Sequence, residues 1–142
     1  MKPENRRSRG HAPRLLFFGA WLAGCSSVPA PTTTPAPAPD EPVAATFTAA
    51  QATRGQGVFT SICSACHGRN EFSGPIFAIT WRAEPVGSLF EHVSTAMPQD
   101  RPGSLTPQQY ADVVAYILQI NGIQPGDREL PPNLALLGRM DW

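Results

Sequence analysis

The sequence predicts an all-α domain, and three observations carry that prediction. Three stretches have the residues that cap helix starts, the apolar residues after the last of them recur every three or four positions, and no segment alternates as a half-buried strand would. Thr48-Ala49-Ala50-Gln51 is a capping box that opens a helix to about Ile62. Ser88-Leu89-Phe90-Glu91 is a second and opens a short helix to about Thr95. Thr106-Pro107-Gln108-Gln109 is a third, with proline at the first helical position, where its missing N–H costs nothing. That helix carries Tyr110, Val113, Val114 and Ile117 on one face, which is therefore expected to be buried, and Asn121-Gly122 is its stop signal.

The helices begin late in the 142-residue chain. Residues 1–14 are basic and polar, and Leu15 to Gly24 are apolar or small, ending at Cys25. A spanning helix needs roughly 20 apolar residues, so residues 1–25 read as an export signal and not a permanent membrane helix. Leu22-Ala23-Gly24-Cys25 resembles the lipobox of bacterial lipoproteins, which implies lipidation of Cys25 and a multi-chain membrane anchor facing the periplasm. By the sorting rules of such lipoproteins, Ser26 points away from inner-membrane retention and toward the outer membrane. The alternative is a signal peptide with an incidental cysteine. Arg6-Arg7 reads as part of the basic region and not as a twin-arginine signal.

Residues 26–46 are rich in Pro, Ala and Thr and nearly free of apolar bulk, so they are expected to form an extended tether, at about 3.1 Å per residue where proline dominates. The folded domain is then residues 47–142. A domain of that size has a marginal apolar core. The formal charge of the whole chain is zero, but six basic and ten acidic residues follow Cys25, a net of −4. Nucleic-acid binding is not expected of such a surface. It suits a partner with a positive docking patch.

With Cys25 assigned to the anchor, two cysteines remain. Cys63-Ser64-Ala65-Cys66-His67 matches C-x-x-C-H, the attachment motif for one covalent c-type haem. The spacing follows from the chemistry. Two thiols about one turn apart add to the two vinyl groups on one haem edge, and the next residue presents its imidazole to the iron. A zinc site would need more ligands than His92 alone supplies, and a thioredoxin-like site would need a βαβ context that the sequence lacks. Cys63 and Cys66 are thus the haem thioethers and His67 the proximal iron ligand. A buried haem would also supply the apolar area that a small domain lacks.

Two further stretches carry a family resemblance. Gly55-x-x-x-Phe59-x-x-x-Cys63-x-x-Cys66-His67-Gly68 resembles the N-terminal helix of class I cytochromes c, and Asp112-Val113-Val114-Ala115-Tyr116-Ile117-Leu118 resembles their C-terminal helix. The resemblance covers residues 47–122 and implies about three to five helices around one haem, with the N- and C-terminal helices crossed and Gly55 facing Tyr116. It implies Met97, in Met97-Pro98, as the distal iron ligand, with His92, Met140 and a vacant position as alternatives. A thioether ligand raises the potential and closes the iron. It implies the carbonyl of Pro75 as the acceptor for the His67 imidazole and Trp81 as a propionate contact. Arg82 reads equally as a propionate partner or a solvated side chain, and Phe77, Phe90 and Tyr110 as packing.

The expected function is a one-electron carrier, with no substrate chemistry of its own. The stretch from Phe77 to Asn121 resembles cytochrome modules linked to periplasmic dehydrogenases, which implies a dehydrogenase as donor and a cytochrome or terminal oxidase as acceptor. The chain would then be an electron-transfer protein or the electron-transfer subunit of a dehydrogenase, not itself an enzyme. The alternatives are a gas-binding or catalytic cytochrome with an open sixth position, and a structural lipoprotein whose haem is incidental.

Overall fold

The computed structural model describes residues 42–142. The expected signal peptide, Cys25 and most of the tether lie outside the described residues, and the structure does not bear on them. The described part is largely α-helical. Helices α1 (Ala49–Ser61), α2 (Pro75–Trp81), α3 (Val86–Ala96), α4 (Pro107–Ile120) and α5 (Leu134–Leu137) are accompanied by two short 3-10 turns, Cys63–Ala65 and Arg69–Phe72. A two-residue parallel ladder joins β1 (Val43–Ala44) to β2 (Met140–Asp141).

The expected caps fare unequally. Thr106 and Gln109 form the full reciprocal box at the start of α4. The Thr48 hydroxyl accepts from the Gln51 N–H, but the Gln51 side chain does not return to the cap. It is buried and bonds both backbone groups of Leu130, donating to the carbonyl at 2.9 Å and accepting from the N–H at 2.7 Å. Ser88 is no cap: α3 starts at Val86, with Pro85 at its N-cap and no side-chain cap bond. Pro85 sits at φ −58° and ψ 152°, so it sets the entry to the helix before Ser88 is reached. At the far end of α4 the stop behaves as expected. Gly122 has φ +90°, its N–H donates to Gln119, and the Ile123 N–H donates to Leu118, which pairs the last carbonyls as a Schellman motif does.

The largest interface between elements is α1 against α4. They approach so closely at Gly55 that a Cβ there would lie 1.8 Å from the Asp112 carbonyl oxygen. Gly55 was expected to face Tyr116; its nearest neighbour on α4 is the backbone of Asp112, and Tyr116 packs against Phe59, ring centroids 5.4 Å apart. Residues Tyr110 to Leu118 of α4 are all buried, more than the one face the periodicity predicted, because α1 and α3 both pack on this helix within one core cluster.

That tail, residues 123–142, is a strap. Leu130 and Leu137 are fully buried. Gly87 of α3 meets the backbone of Gly138, where a Cβ would lie 2.6 Å from the Gly138 nitrogen. The Gly126 N–H donates to the Phe47 carbonyl, and Arg54 bridges Asp112 and Glu129, each at 2.9 Å. Both carboxylates, Asp112 foremost, push the Arg54 guanidinium above its ordinary pKa.

Candidate functional site

Residues after α1 fold the C-x-x-C-H pentapeptide into a single tight turn. The N–H groups of Cys66 and His67 both donate to the Cys63 carbonyl, at 3.1 and 3.0 Å. Both thiols are free, with Cys63 half-buried and Cys66 exposed. Burial raises the Cys63 thiol above its ordinary pKa.

The imidazole is oriented from the next turn. Glu71 reaches the His67 Nδ1 at 3.1 Å with one carboxylate oxygen and accepts the Gly68 N–H at 2.7 Å with the other. The Gly68 N–H, and after it His67, hold the Glu71 carboxyl below the usual carboxylate range. A histidine whose Nδ1–H is held by a carboxylate offers Nε2 as its lone-pair nitrogen, the arrangement found at ligating histidines. The group that meets the His67 Nδ1 in this structure is Glu71, where the resemblance implied the Pro75 carbonyl. Pro75 opens α2, with Gly74 before it at φ +88°, and a carbonyl in the first turn points along the helix into its own ladder.

A row of aromatic rings runs from His67 into the domain. His67 packs edge-on to Phe72 at 5.2 Å, Phe72 lies 6.0 Å from Phe77, and Phe77 lies 6.2 Å from Trp81 and 6.0 Å from Trp142. Trp81 is half-buried and sits between Phe77 and the His92 ring, 5.5 Å away. Exposed His92 is thus engaged with Trp81, while Met140 is in β2, packed on the core. Met97 is the half-buried C-cap of α3. Its carbonyl accepts the Tyr110 hydroxyl at 2.7 Å, and that hydroxyl accepts the Leu105 N–H at 3.3 Å, so Tyr110 ties both ends of the Met97 loop to α4. The Arg82 guanidinium bonds the Asn121 carbonyl, which favours a structural role for it over a propionate contact.

The residue types are those a c-type haem would use: two free thiols and an imidazole in one turn, an aromatic row that begins at that imidazole, and a thioether at the C-cap of α3. One buried indole nitrogen, Trp142 Nε1, has no hydrogen-bond partner. Among the described residues no three His, Cys, Asp or Glu side chains gather into a metal-holding group. A haem needs no such group, because the porphyrin supplies most of the iron's ligands and the protein adds a His and one more.

Residues 50–117, just under half of the chain, match the family described as cytochrome C oxidase, cbb3-type, subunit III. No curated protein and no solved structure gives a significant match. The family match corrects the narrower affiliation drawn from the sequence. The segment is similar to a subunit of a cytochrome c oxidase, not to a dehydrogenase-linked module, so the expectation of a carrier serving a dehydrogenase is withdrawn. The family's description names no cofactor, and the C-x-x-C-H pentapeptide stands in the chain independently of it.

Proposed function

We propose that this chain is a haem-bearing, electron-transferring subunit of a respiratory membrane complex of the cytochrome c oxidase kind. The observation that carries the reading is the Cys63–His67 turn, with its two free thiols and its imidazole steered by Glu71, inside the segment that resembles an oxidase subunit. A covalent haem would supply a one-electron couple there. Cys63 and Cys66 would hold it, His67 would bind the iron through Nε2, and Met97 would close the opposite position. The crossing of α1 and α4 at Gly55 supports the class I cytochrome c arrangement. Membrane association follows from the oxidase similarity, and the lipid anchor at Cys25 would provide it on the periplasmic side. Among the described residues no helix is long and apolar enough to cross a membrane.

The test is to produce the chain in a host able to attach haem, stain a denaturing gel for covalent haem, and record spectra oxidised, reduced, and reduced with carbon monoxide. Expected are a stained band, lost in the Cys63→Ala, Cys66→Ala double variant, and a low-spin spectrum indifferent to carbon monoxide. Met97→Ala is expected to turn high-spin and to respond to carbon monoxide. An unstained band would overturn the haem reading. A carbon monoxide response in the unsubstituted protein would instead favour the open-site, gas-binding alternative.

A further inference from the structure

We infer that Trp142 is a second indole donor to the haem, its Nε1–H bonding a propionate carboxylate. This rests on the haem reading above. Among the described residues, Trp142 Nε1 is the buried side-chain polar atom that finds no partner. An indole nitrogen can only donate, and buried donors in folded proteins are nearly always satisfied. An acceptor therefore belongs beside it.

The surroundings narrow what that acceptor is. The Trp142 ring packs on Phe77, and Phe77 leads through Phe72 to the His67 imidazole, so the orphan donor lies on the aromatic row that begins at the attachment turn. Trp81, implied by the family resemblance as a propionate contact, packs on the same Phe77 ring. A haem attached through its vinyl edge carries its two carboxylates on the opposite edge, away from the cysteines. Two indoles flanking Phe77 match two carboxylates.

Several fixed contacts put Trp142 there. Met140–Asp141 pairs with Val43–Ala44, Leu137 is buried, and Gly138 sits against Gly87. The tail thus has a second use besides covering the core: it delivers a donor to the cofactor's polar edge. Trp142 lies outside the matched segment 50–117, so the similarity to the oxidase subunit does not assign it this role.

The experiment is resonance Raman spectroscopy of the reduced, haem-loaded full chain, reading the propionate bending modes, whose frequencies follow hydrogen bonding at the carboxylates. Trp142→Phe keeps an apolar ring and removes the donor, and one propionate mode is expected to shift. Leu136→Ala changes an exposed side chain of the same tail and removes no donor, and it should leave the modes in place. In the unsubstituted protein the Trp142 indole proton resonance should move between the apo and reduced holo forms, a check that does not depend on any variant folding. Unshifted modes in Trp142→Phe, equal shifts in both variants, or an unmoved indole resonance would each overturn the inference while leaving the haem reading intact. A chain with no covalent haem on the denaturing gel would overturn both.

Discussion

The α1–α4–tail side and the segment from Ile62 to Arg82 are built on different terms. On the first, helices meet backbone to backbone at Gly55, the Gln51 amide is locked to Leu130, and an unbroken run of α4 is buried. On the second, structure comes in short turns, and Ile76 and Ile79 stand 84% and 80% exposed on α2. One side is closed by protein–protein contacts, apart from the unpaired Trp142 Nε1 at the end of the tail. The other has Phe77 as its one buried residue and leaves the isoleucines of α2 open to solvent. The first side should therefore be intolerant of small changes, and the second tolerant of them.

The sharpest way to break that contrast is Gly55→Ala. Its new Cβ would overlap the Asp112 carbonyl, and neither helix backbone can give way cheaply, so a loss of about 3 kcal/mol is expected in urea unfolding. A loss well under ~1 kcal/mol would show that α1 and α4 are not closely locked. Next comes Gln51→Ala, which strands both backbone groups of buried Leu130 and should cost about 2 kcal/mol while leaving covalent haem content unchanged. If haem content fell with stability, the two sides would not be independent. Ile79→Ser should have the smallest effect, within about 0.5 kcal/mol by thermal unfolding, because its side chain already faces water. A large loss there would mean that α2 packs against something besides the described residues.

The sequence announced the two long helices and the turn from Cys63 to His67 because their signals are local. Thr106 with Gln109, Asn121-Gly122 and the C-x-x-C-H spacing are each read within a few residues, and each has the expected geometry. What it missed depends on distance along the chain. Gln51 looked like half of a capping box, and nothing near it hints at Leu130, 79 residues away. Glu71 was hidden by the family resemblance, which directed attention to Pro75, although a carboxylate four residues after a histidine is a readable signal in a short helical turn. Helix α5 and the two-residue strands are too short for any periodicity to form, so the tail's path was not legible. The finer affiliation rested on the stretch from Phe77 to Asn121, and the family match over residues 50–117 points to an oxidase subunit instead.

The pairing of β1 with β2 has a mechanical consequence. Strand β1 precedes α1, and the parallel register sets Val43 opposite Met140 and Ala44 opposite Asp141. A pull along the incoming segment draws β1 lengthwise past β2. The bonds from Val43 to Arg139 and from Ala45 to Asp141 then bear the load together, in shear, and do not open one after the other like a zipper. Behind them the Gly126–Phe47 bond takes up what remains. Tension arriving along the incoming segment is thus absorbed at the strap, before it reaches α1 and the turn that holds His67.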